Sequence, residues 1–165
     1  MRLDILPVGS PPVKHQTAFN AIPQIDKCTE NGYPLEEMKM VHETRKIMGD
    51  ESIEVTAICV RIPVVRGILN PCMWEFKNDD DLEDVQRLLS NAPGVTLVED
   101  PSFQSDPLDT DVQGKPDVFV GRLRRGLAHK RRLNMWIVSD NLLKGAAWNA
   151  VENAELIVNK RNGQA

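Results

Sequence analysis

The run Val118-Phe119-Val120-Gly121-Arg122-Leu123-Arg124, followed after a short basic connection by Leu133-Asn134-Met135-Trp136-Ile137-Val138, decides the fold class. Both pieces are rich in β-branched and apolar residues and read as strands, and the connection makes an antiparallel hairpin their natural pairing. After the hairpin, Ser139 or Asp140 can cap a final helix. Leu143, Ala146, Ala147, Ala150, Val151, Ala154, Ile157 and Val158 give that helix a nearly continuous apolar stripe. Asn159–Ala165 read as a frayed tail.

Upstream, Ile53–Val65 is rich in β-branched residues and approximates strand alternation, with Pro63 bending, ending or edging the strand. Further strands are expected at Met73–Lys77 and Val95–Val98. Between these two, Asp79–Asp81 can cap a short helix lined by Leu82, Val85, Leu88 and Leu89. Glu99–Asp117 lacks periodicity and reads as a long loop. A first amphipathic helix is expected from Pro34 to Ile47, with proline at its first position, Glu36 and Glu37 at the positive end of its dipole and Gly49-Asp50 as a stop. Residues 1–34, punctuated by Pro7, Gly9, Pro11, Pro12, Pro23, Gly32 and Pro34, read as an extended entry segment. Strands and helices do not alternate as in a doubly wound sheet, so the expected class is α+β.

The chain has 165 residues, 41% of them apolar and 27% charged. That suits one domain burying roughly 70% of its unfolded surface. No run approaches the roughly 18 apolar residues of a membrane span, and the start is not a secretory signal, so the expected address is the cytoplasm. Cys28, Cys59 and Cys72 are too irregularly spaced for a disulfide framework or a metal site. His15, His42 and His129 are equally scattered. The net charge of −4 argues against wholesale nucleic-acid binding.

Generic motifs for nucleotide, phosphate or zinc binding are missing from the sequence. Glu36 and Lys39 lie three apart on the first helix and can jointly hold a zwitterionic or phosphorylated ligand; a solvated face with local ion pairing is the plainer reading. Arg61 interrupts an apolar strand, Ile58-Cys59-Val60-Arg61-Ile62. Near a core its guanidinium must be paired, and its fork matches a carboxylate or phosphate; it can equally point outward from the sheet. Arg66, Asp140 and Asn141 are less telling, Asn141 being placed where a cap or turn residue is common. The cluster Arg122, Arg124, Arg125, His129, Lys130, Arg131 and Arg132 invites a nucleic-acid reading. Alternation sends Arg122 and Arg124 to one face and leaves the others on a hairpin tip, with few aromatics nearby for stacking, so that reading is disfavoured.

Several strings resemble one known family in a single register from about Leu6 to Ile157. They are Ala18-Phe19-Asn20-Ala21-Ile22-Pro23-Gln24-Ile25-Asp26, Leu35-Glu36-Glu37-Met38-Lys39-Met40, Glu43-Thr44-Arg45-Lys46-Ile47-Met48, Cys59-Val60-Arg61-Ile62-Pro63-Val64, Phe119-Val120-Gly121-Arg122 and Asp140-Asn141-Leu142-Leu143-Lys144-Gly145-Ala146-Ala147. The chain resembles the C-terminal catalytic and dimerisation domain of bacterial aspartate-semialdehyde dehydrogenase. The resemblance implies a mixed, largely antiparallel sheet with helices on one face and the other face available for a partner subunit. It also implies a reaction, the NADPH-dependent reductive dephosphorylation of L-aspartyl 4-phosphate to L-aspartate 4-semialdehyde, on the shared route to lysine, methionine and threonine. A cysteine thiolate and an acid/base histidine carry that chemistry. By position, Glu36 resembles the residue that holds the substrate amino group, Lys39 the one that holds its phosphate, Arg61 the arginine that forks onto its carboxylate, and Asn141 a residue that contacts NADP.

The departures matter as much. The family continues Arg-Gly-His where this chain reads Arg66-Gly67-Ile68, and an aliphatic side chain transfers no proton. The resemblance is weakest over Ile68–Trp74 and Phe103–Gln113. The family's nucleotide-binding domain and nucleophile segment have no counterpart here, and none of the three cysteines inherits the nucleophile's role, so no catalytic residue is assigned. The expectation is a truncated or split enzyme, inactive alone and not binding NADP by itself. The alternative is a non-catalytic module that pairs with itself or with a full-length relative. No metal, membrane or nucleic-acid partner is expected.

Overall fold

The computed structural model describes residues 15–100 and 105–163. Pro7, Gly9, Pro11 and Pro12 of the entry segment, residues 101–104 of the expected loop and 164–165 of the expected tail lie outside the described residues. The chain gathers into two compact units, Met1–Pro63 and Val64–Ala165.

In the first unit, α1 spans Leu35–Met48. Pro34 sits before it in extended conformation rather than at its first position, because Pro34 bridges Cys28 and Leu35 N–H donates to Lys27 C=O at 2.9 Å. Acids in the first turn and Arg45 and Lys46 in the last complement the dipole. Gly49 closes the helix at φ 65°, a left-handed conformation that suits glycine. The expected strand over Ile53–Val65 forms no ladder. Its burial alternates from Ile53 to Arg61 as in a strand, yet the only pairing among the described residues is one bridge in which Arg61 and Ile22 exchange two hydrogen bonds of 2.9 Å. A ladder needs a neighbouring strand, and among the described residues none lies alongside.

The second unit is built on one four-stranded sheet of order β1-β4-β3-β2, comprising β1 Ile68–Glu75, β2 Val95–Leu97, β3 Val118–Arg125 and β4 Arg132–Ser139. The expected hairpin is β3 and β4, antiparallel; β1 also runs antiparallel to β4, and β2 parallel to β3. The strand expected at Met73–Lys77 begins earlier, at Ile68, and admits Pro71 because β1 is an edge strand. Helix α2, Leu82–Asn91, is capped by Asp81, whose carboxylate accepts from Glu83 N–H at 3.1 Å. Its Leu82, Val85 and Leu89 pack on Val120, Leu123, Leu133 and Met135. Leu88, expected on that face, points outward, 68% exposed, because it lies at the margin of the 82/85/89 stripe. The loop between β2 and β3 contains one helical turn, α3 Asp109–Val112, whose Val112 packs on Phe119 and Val138, side chains that alternation sends to the other sheet face.

Strict alternation fails in β3. Register shifts between Gly121 and Arg124, Arg122 takes φ 54°, and the freed Leu123 N–H donates to Glu99 at 3.0 Å. This bulge returns Leu123 to the face of Val120, so Arg122 and Arg124 do not simply share a face. Gly121 is required beside it, since a Cβ there would stand 2.5 Å from the Val98 carbonyl oxygen. The final helix does not start directly from its cap. A π-helical turn, Leu143–Ala147, precedes α4, Trp148–Arg161, which continues beyond Asn159 into the expected tail. The apolar stripe of α4 buries no residue. Among the described residues no helix is long and apolar enough to cross a membrane.

Candidate functional site

The first turns of α1 bring Glu36 and Lys39 together, with Lys39 Nζ 2.9 Å from Glu36 Oε2. The hydrogen bond and charge of Glu36 raise the Lys39 pKa above its ordinary value. Both side chains are substantially exposed, so this is a solvated ion pair that a ligand can open. Lys39 also lines an open concavity of about 590 Å³ together with Thr29, Asn31, Met38, His42 and Glu43.

Arg61 lies half-buried at the end of the stretch Ile53–Arg61. Its backbone is fixed by Ile22, while among the described residues its guanidinium has no hydrogen-bond or ion-pair partner. No hydrogen bond or ion pair joins it to Glu36 or Lys39. A guanidinium held by its own backbone with its fork open can accept a planar anion such as a carboxylate. Glu37, which the sequence reading used only for the helix dipole, is buried and its Oε1 accepts from Cys59 N–H at 2.9 Å, tying this stretch to α1. Arg45 does the same at the other end, donating to the Ile53 carbonyl at 2.9 Å.

In the second unit, Asp140 is completely buried and collects the donors around it. Arg66 Nε and Nη2 approach at 2.9 and 2.7 Å, Gly114 N–H at 2.7 Å, and Leu142 and Leu143 N–H at 2.8 and 3.1 Å. Burial alone would raise its pKa; the Gly114 N–H, the Arg66 guanidinium and the Leu142 and Leu143 N–H groups outweigh burial and lower it to about 2. Asn141 Oδ1 accepts from Gly67 N–H at 3.2 Å. Asp140 and Asn141 thus hold the turn Arg66-Gly67 that delivers Ile68, whose half-exposed side chain lies at the start of β1. The Arg66–Asp140 pair escaped the sequence reading because its members are far apart in the chain and neither is unusual locally.

Burial pushes up the pKa of both Cys59 and Cys72, which stay protonated at neutral pH, and Cys28 is exposed with Gln24 Nε2 3.7 Å from its sulfur. Among the described residues no group of His, Cys, Asp or Glu is placed to hold a metal ion. Four cations of the basic cluster are paired with carboxylates, and Arg124 donates to the Arg122 carbonyl. Arg122 pairs with Asp106 at 3.2 Å, Arg125 with Asp80 at 2.7 Å, Lys130 with Asp79 and Arg132 with Glu75 at 2.8 Å, while Arg131 donates to the Lys77 carbonyl.

Residues 3–144 match the family model described as semialdehyde dehydrogenase, dimerisation domain. The chain is 52% identical over 153 residues to an aspartate-semialdehyde dehydrogenase of Bacillus subtilis, a match covering 92% of this chain and 44% of the relative. It is 47% identical over 144 residues to that of Aquifex aeolicus, covering 87% and 42%. Its structure superposes on aspartate semialdehyde dehydrogenase II of Vibrio cholerae with a TM-score of 0.86 at 43% identity, covering 92% of this chain and 45% of that one. A second structure of the Vibrio protein is complexed with ASA. The chain therefore spans under half the length of the curated relatives it matches. Fold and sequence agree, and the chain belongs to the aspartate-semialdehyde dehydrogenase family, corresponding to its C-terminal dimerisation domain.

Proposed function

We propose that this chain is the substrate-holding part of a truncated or split aspartate-semialdehyde dehydrogenase, without turnover of its own. The carrying observation is Arg61, half-buried and, among the described residues, without a partner for its guanidinium. In this reading Arg61 forks onto the carboxylate of an aspartyl-phosphate-like ligand. Glu36 takes the ligand's amino group and Lys39 its phosphate. The Glu36–Lys39 ion pair keeps the two charges compensated until a zwitterionic ligand replaces each partner with its own opposite charge. A cytoplasmic address goes with a biosynthetic role.

Asn141 is the one residue of this chain that the resemblance assigns to the family's nicotinamide cofactor; its carbonyl oxygen accepts from Gly67 N–H, which leaves its amide NH2 to donate to such a group. With one such contact, the chain is proposed not to bind NADP alone. Ile68 likewise leaves the turn held by Asp140 and Asn141 without a proton-transferring side chain.

Calorimetric titration of the purified chain with L-aspartate 4-semialdehyde, beside an NADPH absorbance assay, tests the reading. Binding is expected without turnover, and Arg61→Ala is expected to weaken binding about tenfold or more, as loss of a charged hydrogen bond does. Binding indifferent to Arg61→Ala, or turnover that Glu36→Ala or Arg61→Ala abolishes, overturns it. A second reading, a non-catalytic dimerisation module, is favoured by the uncovered stripe of α4 and by the family model's dimerisation domain. It requires a homo-oligomer, or a complex with a full-length relative, in sedimentation at micromolar concentration.

A further inference from the structure

The start of α1 carries three charged side chains close together, Glu36, Glu37 and Lys39. Glu36 and Lys39 pair with each other on one flank. Glu37 lies about 100° further round the helix axis than Glu36 and is buried, and its Oε1 accepts from Cys59 N–H at 2.9 Å. Two residues on, Arg61 N–H donates to the Ile22 carbonyl and Ile22 N–H to the Arg61 carbonyl, each at 2.9 Å. The tripeptide Cys59-Val60-Arg61 is thus held at both ends, and one of its anchors is the helix that bears Glu36 and Lys39. Among the described residues no cation pairs with the Glu37 carboxylate and no anion with the Arg61 guanidinium.

A buried carboxylate facing one backbone donor costs more desolvation than a neutral acceptor at the same place, and in return its bond to the N–H is the stronger, charge-assisted kind. That charge bears on this stretch: burial first, and then the Glu37 carboxylate, push the pKa of the Cys59 thiol up. An ion pair between Glu37 and Arg61 would close the guanidinium fork. The bond to the Cys59 backbone instead fixes Arg61 from two residues away and leaves the fork free for an incoming anion. We infer that Glu37 is a positioning residue for the ligand's carboxylate: by holding the Cys59 N–H it sets the Arg61 guanidinium at a fixed place relative to Glu36 and Lys39, so that the three act on one ligand. The inference rests on the ligand roles proposed above for Glu36, Lys39 and Arg61 and adds the residue that keeps them in register.

The test titrates L-aspartate 4-semialdehyde calorimetrically into the whole chain and its variants, beside residue-resolved amide exchange. Glu37→Ala is expected to weaken binding about tenfold while Arg61 is present and to add no further loss to Arg61→Ala, because the tie acts through the guanidinium. Glu37→Gln, which keeps an oxygen for the Cys59 N–H, is expected to bind within about threefold of the unmutated chain. In the unmutated chain, saturating ligand is expected to slow Cys59 amide exchange about fivefold or more, since a tie that favours binding is favoured by binding in turn, and to leave the amides of α2 unchanged. This measurement decides the matter even where Glu37→Ala does not fold. Undiminished affinity in Glu37→Ala, equal losses with and without Arg61, a loss in Glu37→Gln as large as in Glu37→Ala, or a Cys59 amide indifferent to ligand overturns the inference. Absence of binding by the unmutated chain, or binding indifferent to Arg61→Ala, overturns instead the functional reading on which it rests.

Discussion

Asp140 keeps its charge in a place with no exposed surface because five donor contacts converge on two oxygens. Its pKa of about 2 in the folded chain lies below the ordinary carboxylate value of about 4, so the stability it contributes is complete above pH about 4. It is lost as pH falls through about 2, where the proton displaces the Arg66 and backbone donors. Asp140→Asn places an uncharged amide among these donors. The variant is expected to melt at a lower temperature at neutral pH and to lose the acid-dependent part of the melting curve between pH about 4 and about 2. Thermal melts across that range check this, and a variant that keeps the wild-type pH dependence would show that another group governs it. The same residue fixes the Arg66-Gly67 turn, so its loss is also expected to loosen the start of β1 before the rest of the sheet.

At the scale of elements, the sheet and α2 share a core in which side-chain position on the element decides energetic weight. Leu133 is fully buried between β4 and α2, whereas Leu88 of α2 is 68% exposed. Leu133→Ala is expected to cost about 3 kcal/mol and Leu88→Ala under about 0.5 kcal/mol, read from urea denaturation midpoints. Equal costs would refute the assignment of the buried face. The β3–β4 hairpin and the stripe Leu82, Val85, Leu89 were legible in the sequence because each is set by local periodicity. The bulge at Arg122 was not, since its left-handed residue is an arginine rather than a glycine. The ladder expected at Ile53–Val65 failed for a different reason: a sequence specifies that a strand conformation is favourable, but not that a neighbouring strand is present. At the candidate site, the i,i+3 spacing of Glu36 and Lys39 announces their ion pair and Arg61 stands out as a cation in an apolar run, whereas the ligand roles proposed for all three rest on the family resemblance. Glu37 and the Arg66–Asp140 pair owe their roles to distant partners that no local pattern announces.

For the whole molecule, the decisive quantity is apolar surface that its own residues do not cover. Leu156, Ile157 and Val158 are consecutive on α4 and are 66%, 56% and 53% exposed. Three consecutive helical residues sweep about 200° around the axis, so no packing on one side hides all of them. The amphipathic stripe read from the sequence therefore ends in a turn that is apolar nearly all round, on a helix without a buried residue. Such a surface favours association, and the net charge of −4 opposes it only weakly. The purified chain is expected to bind a hydrophobic fluorescent dye and to self-associate as concentration rises. The double variant Leu156→Lys, Ile157→Glu should reduce both while leaving helical circular dichroism unchanged, because exposed substitutions cost within about 0.5 kcal/mol. Unchanged dye binding and sedimentation in that variant would show that the associating surface does not lie on α4.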